Sequence, residues 1–118
     1  MAIQVLIRRR FIKEKEAVIA PRVVRLRSLA LAQPGYISGE TLKCIDPTGD
    51  DEYLVRSTWR SVEDWKTWLH SETRTAIQSE IDAITGEATE YRIFEPLVGG
   101  IIPKYTDKGN VPLTEIPL

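Results

Sequence analysis

The chain has 118 residues, enough for one ordinary domain, and 42% of them are hydrophobic while 28% are charged. That balance belongs to a folded soluble protein and excludes a disordered one. Sixteen basic against seventeen acidic residues leave a net charge of −1, which argues against non-specific binding to nucleic acid or to a membrane surface.

Ile3 to Phe11 alternates as a strand, with Ile3, Val5 and Ile7 on one face and Gln4, Leu6 and Arg8 on the other. The basic run Arg8-Arg9-Arg10 is followed at once by Lys13-Glu14-Lys15-Glu16, and period two sends Arg8 and Arg10 to one face and Arg9 to the other. The simplest reading of the run is a solvated strand end. A helix is expected from about Lys15 to Ala32, with Ile19, Val23, Leu26 and Ala30 inward and Arg22, Arg25 and Arg27 outward. Pro21 either kinks it or opens its main body. Gln33-Pro34-Gly35 ends it.

Tyr36 to Ile45 reads as a second strand, with Gly39 marking a bulge or a close approach. Asp46 to Asp51 is a hairpin turn, and Glu52 to Trp59 is the third strand. Ser61 with Asp64 begins a capped helix that carries Trp65, Trp68 and His70. Ser71-Glu72 is a second cap, so the helix is expected to break and restart there. Ile77, Ile81 and Ile84 then form one apolar stripe, and Gly86 closes the segment. Thr89 to Phe94 is the fourth strand.

The order β-α-β-β-α-β predicts an α+β, ferredoxin-like antiparallel sheet with its helices on one face. Leu6 and Ile12 are out of phase with Val5 and Ile7, and Leu54 is out of phase with Tyr53 and Val55. Apolar side chains therefore reach both faces. No further helix remains to cover the second face, so a second copy is expected there, sheet against sheet. Residues 1–94 make the domain. Residues 95–118 hold four prolines, with Ile101, Ile102, Val111, Leu113, Ile116 and Leu118 among their aliphatic side chains, and are expected to form an arm along the domain or its partner.

A single cysteine, Cys44, excludes an internal disulfide, and with one histidine it leaves no zinc spacing. No nucleotide-binding, calcium or serine-nucleophile motif is present, and no metal is expected. No apolar run approaches the ~20 residues of a membrane span. The N-terminal charges follow the apolar run, the reverse of a signal peptide, which places the protein in the cytoplasm.

Four stretches, taken together, resemble the antibiotic-biosynthesis monooxygenase domain family of dimeric α/β-barrels. They are the first strand running into Phe11-Ile12-Lys13-Glu14, then Gln33 to Leu42, then Ser57 to Trp68, then Thr89-Glu90-Tyr91-Arg92. The resemblance covers residues 3–94 and implies a ferredoxin-like protomer whose sheet pairs with that of a second copy to close a barrel. It implies one of three roles: a cofactor-independent monooxygenase of aromatic or quinone-like molecules, a haem-degrading enzyme, or a dimer without catalysis that binds a small ligand or serves as an assembly module.

In the haem-degrading branch a first-strand asparagine, a tryptophan and a histidine ten positions later form the site. Trp68 matches the tryptophan, but Gln78 stands in the histidine's place, Ile7 matches the first-strand position, and the one asparagine is Asn110. A glutamine amide is a poor iron ligand, so haem is disfavoured and no cofactor is expected. His70 lies about 200° around the helix from Trp68 and cannot take over the ligand's position. The cofactor-free branch needs hydrogen-bond donors in a dry pocket that hold the substrate as an electron-rich anion. For that role the chain offers Trp68 and Arg10 as catalytic candidates and Arg8, Tyr36, Arg56, Trp65 and Gln78 as ligand-binding candidates. Packing competes for the indoles, and pairing with Glu40 competes for the arginines.

Overall fold

The computed structural model describes residues 2–49 and 51–97; the expected arm lies almost wholly outside them. Four strands, β1 (Ile3–Arg10), β2 (Tyr36–Lys43), β3 (Glu52–Trp59) and β4 (Glu90–Phe94), form one sheet in the order β2-β3-β1-β4. Each neighbouring pair is antiparallel. Three helices, α1 (Glu16–Ala30), α2 (Val62–Leu69) and α3 (Glu72–Thr85), complete the ferredoxin-like α+β fold that the element order predicts.

Period-two burial sets the faces. Ile3, Val5, Ile7, Arg9 and Phe11 are buried toward the helices, while Gln4 and Arg10 are exposed on the far side and Leu6 and Arg8 are half-buried there. The core forms where this row meets Trp59, Ile19 and Leu26, Trp65 and Trp68, and Ile77 and Ile81. On the uncovered face Leu6 and Leu54 are half-buried, and Leu42 and Phe94 keep 42% and 41% of their surface, so the apolar residues out of phase do lie there.

α1 is two residues shorter at its C-terminus than expected, and a 3-10 turn, Lys13–Lys15, leads into it. The helix runs through Pro21, which has no N–H to give the carbonyl of Ala17. The strand irregularity falls between Tyr36 and Ser38, which leaves Ile37 unpaired, two positions before Gly39. Gly39 instead answers to a close approach: a Cβ there would meet the Tyr36 hydroxyl at 2.5 Å and the Arg56 carbonyl at 3.3 Å.

Both serine caps form as read. Ser61 Oγ accepts from the Asp64 amide at 3.2 Å, and Ser71 Oγ accepts from the Arg74 amide at 3.2 Å. Gly86 ends α3 with φ 75°. The Ser71 cap starts the helix that carries Arg74 and Gln78. Ser71→Ala is expected to cost about 1 kcal/mol in urea unfolding.

Candidate functional site

Between the helices and the covered face of the sheet lies a cavity of about 50 Å³, walled by Trp59, Trp65, Trp68, Tyr36, Ser57, Arg9 and Arg74 among others. The sheet supplies Arg9 because it continues the inward row Ile3, Val5, Ile7. The start of α3 supplies Arg74, one turn before Ile77 and Gln78 on the same face. Trp65 meets Trp59 edge-on at 5.7 Å between centroids, and Trp59 meets Tyr36 edge-on at 5.2 Å. The indole N–H of Trp59 donates to Ser57 Oγ at 3.1 Å.

Arg9 and Arg74 are only 4% and 3% exposed. Arg9 Nη2 donates to Gln78 Oε1 at 2.7 Å, and Gln78 Nε2 donates in turn to Asp82 Oδ1 at 2.8 Å and Thr89 Oγ1 at 2.7 Å. Arg74 Nη2 donates to the Tyr91 hydroxyl at 2.8 Å, and its guanidinium carbon lies 4.9 Å from the Tyr91 ring centre and 5.5 Å from that of Trp65. Among the described residues neither guanidinium has a carboxylate within ion-pair distance, and Arg9 Nε, buried, has no hydrogen-bond partner.

Burial lowers the pKa of Arg9 to about 10; the neighbouring Arg74 charge adds to this, while Tyr91 and Asp82 oppose it. Arg9 therefore stays cationic at neutral pH. Its folded-state value lies below the unfolded one, so burying this charge weakens the fold throughout the neutral range, and the penalty is relieved only as pH rises through about 10.

A second, wider cleft of about 280 Å³ opens between α1 and strands β2 and β3, and shares Arg9, Val23, Arg27, Thr41 and Val55 with the inner cavity. Its walls are apolar at Ile19, Val24 and Phe11, with Phe11 stacked on Tyr53 at 3.9 Å. At its rim Glu16 accepts from Tyr53 at 2.9 Å and pairs with Lys43 at 2.8 Å. The Lys43 ammonium first, then the Tyr53 hydroxyl, hold the Glu16 carboxyl below its ordinary range.

Of the residues singled out in the sequence, Trp65, Trp68 and Tyr36 line the inner cavity, and Gln78 stands behind Arg9. Arg8, Arg10 and Arg56 are not brought there. Arg8 lies on the uncovered face, bound to Glu52 at 2.5 Å and Glu90 at 3.4 Å. Arg56 pairs with Glu40 at 2.5 Å, and Arg10 is exposed beside Arg8. His70 is exposed at the end of α2. Arg9 and Arg74 were not singled out, although their spacing with Ile3, Val5 and Ile7, and with Ile77 and Ile81, carried the signal. Among the described residues no cluster of metal-binding side chains exists, and no helix is long and apolar enough to cross a membrane.

Sheet order, helix placement and a cavity between the two define a ferredoxin-like α+β protein with a cavity on the helical side. The sequence profile of the antibiotic biosynthesis monooxygenase family matches residues 2–80, and the chain belongs to that family. Its fold is similar to that of SnoaB, a cofactor-independent oxygenase from Streptomyces nogalater, at TM-score 0.69 and 16% identity over 80% of this chain and 92% of that one. It is similar to Rv0793 from Mycobacterium tuberculosis at TM-score 0.74 and 12% identity, over 86% of this chain and 100% of that one. A conserved protein from Methanosarcina mazei Go1 gives TM-score 0.71 and 16% identity over 80% and 92% of the two chains. Identities this low show a shared fold. A search of curated proteins finds no match.

Proposed function

We propose that the protein is a homodimeric, cofactor-independent monooxygenase of an aromatic or quinone-like small molecule. The observation that carries this reading is the pairing of three buried indoles with two buried arginines that, among the described residues, no carboxylate neutralises. In such a cavity a bound phenol or enol is favoured as its anion, since cations in a water-poor site stabilise developing negative charge. The electron-rich anion then reduces dioxygen directly. One oxygen atom enters at a ring carbon and becomes a carbonyl, and the substrate gives up two hydrogens, one from that carbon and one from its hydroxyl, or both from the methylene of an anthrone. The other leaves as water with those hydrogens, so no external reductant is consumed.

In this reading Arg9 and Arg74 hold the oxyanion, Gln78 positions Arg9, and Trp68 walls off water around the held oxygen. Arg10, Arg8 and Arg56 take no part in this step, because they lie on the face that we assign to the second copy.

Haem does not fit the same residues. Gln78, at the position of the haem branch's histidine, already accepts from Arg9 and donates to Asp82 and Thr89, so its amide has no free claim on an iron. A specific observation supports a ligand-binding dimer without catalysis as the second reading: the one carboxylate lining the inner cavity, Glu40, is held by Arg56, which leaves no evident base.

Oxygen uptake with naphthalene-diol and anthrone substrates separates the two readings. Uptake is expected to match product formation, with one labelled oxygen atom in the product. Trp68→Ala is expected to lower kcat/KM by roughly 10-fold or more through water entry and lost contact. Binding of these compounds without oxygen uptake would leave the non-catalytic dimer standing.

A further inference from the structure

A guanidinium taken from water is costly unless a counter-charge or a full set of acceptors replaces the solvent. The inner cavity holds two such groups. Glu40, which lines the cavity, is paired with Arg56, and Asp82 reaches Arg9 only through the neutral amide of Gln78. That spacer fixes the direction of Arg9 without cancelling its charge; with Glu40 answered by Arg56 and Arg27 exposed to solvent, the two buried cations face one neighbouring anion, which leaves one buried positive charge unanswered. Arg9 Nε, buried and without a partner, marks a donor that nothing in the described fold satisfies.

We infer that the inner cavity binds the planar, singly charged oxyanion of an aromatic acid head-first, with the ring in the outer cleft. The acid is either a ring carboxylate or the ionised hydroxyl of a hydroxyquinone. This rests on the oxygenase reading for the aromatic character of the ligand and adds the group by which that ligand is held.

Size sets the orientation. About 50 Å³ of inner space takes a carboxylate or a ring oxygen but not a fused ring system, whereas the outer cleft of about 280 Å³ does take one. The two spaces share Arg9, so an anion drawn to Arg9 from outside passes inward toward Arg74 while its ring stays against Val23, Ile19 and Val55. Charge sets the valence: one uncompensated cation favours a monoanion over a phosphate dianion. The planar guanidinium fork favours two oxygens in one plane, which a carboxylate and a hydroxyquinone anion both present.

The test is equilibrium titration of the full chain, followed by tryptophan fluorescence and checked by calorimetry. The probes are naphthoate, hydroxynaphthoquinone and uncharged naphthoquinone. At least one anion is expected to bind ~10- to 100-fold tighter than the neutral ring, the range of a charge-assisted hydrogen bond gained in a buried site. Which anion binds tells carboxylate from enolate. In wild-type protein the advantage should fade as pH falls through the ligand's own pKa, a measurement that needs no variant to fold. Arg9→Met and Arg74→Met should each bring the affinity for the anion down to that for naphthoquinone measured in the same variant.

Equal affinity for neutral and anionic rings, no saturable binding of either anion, or anion preference that survives both substitutions would overturn the inference. Failure of the oxygenase reading looks different: tight, arginine-dependent anion binding with no oxygen uptake. Oxygen uptake on neutral quinols that ignores both arginines would sink the anion site and leave the oxygenase.

Discussion

Trp65→Ala is expected to lower the unfolding free energy by about 3–5 kcal/mol, the range for removing a large aromatic side chain from a core. Trp65 is 1% exposed and joins three elements: it meets Trp59 of β3 at 5.7 Å, Tyr91 of β4 at 6.0 Å, and the guanidinium of Arg74 on α3 at 5.5 Å. Truncation removes the buried area and opens a void beside a charged group, which then draws in water. A domain of this size holds only about 5–15 kcal/mol in total, so the variant should unfold at far lower urea. A fall in midpoint with the slope unchanged supports this account. A loss under ~1 kcal/mol would mean that α2 does not depend on this indole for its seat.

Gly35→Ala should cost about 2–4 kcal/mol, far more than one methyl group implies, because two penalties coincide. Gly35 has φ 84°, a left-handed conformation that strains any residue with a Cβ. The new Cβ would also meet the Asp64 side chain, 2.6 Å from its Cβ and close to its Cγ and Oδ2. Asp64 cannot yield freely. Its Oδ2 accepts from Ser61 and Arg60 at 3.0 Å each, and its amide is the donor to the Ser61 cap. The Gly35 carbonyl is itself fixed by the Arg60 amide at 2.7 Å. Pairing Gly35→Ala with Asp64→Gly, which removes the Asp64 Cβ as well, and comparing the pair with Asp64→Gly alone in a thermal unfolding series separates the terms. The clash should be relieved and the backbone strain should remain. Full recovery in the double variant would show that the dihedral strain is negligible.

Much of the fold was legible because it is written in local chemistry. Ser61, Ser71 and Gly86 mark helix ends by hydrogen-bonding rules that need no tertiary context, and β3 matches its expected span. The site was harder to read. Period two separates Arg9 from Arg8 and Arg10 but does not say which row the helices cover. Three consecutive arginines before a mixed-charge run look like solvent-facing residues. Arg74 was passed over for the same reason: a charged residue at the start of a helix is ordinarily exposed, and only its place at 74 in the series with 77, 78 and 81 turns it inward. Gly39 drew the bulge assignment because isoleucine is a favoured strand residue, and only the pairing with β3 shows the irregularity at Ile37.

The ion pairs on the uncovered face bear on how the chain finds its strand alignment. A slip of one residue between strands would swap the two faces and expose the core row, so the apolar pattern forbids it. A slip of two residues keeps every side chain on its proper face and escapes that control. Here the charges do the discriminating. Arg56 stands opposite Glu40 and Arg8 opposite Glu90 in the native alignment, and each forms an ion pair with the residue it faces. Moving β2 by two positions along β3 would set Arg56 opposite Ser38 or Leu42 and strand Glu40 beside Leu54 or Thr58. Each rung is weak as a source of stability. Each marks the native alignment of its own strand pair, where hydrophobic burial cannot detect a two-residue misalignment.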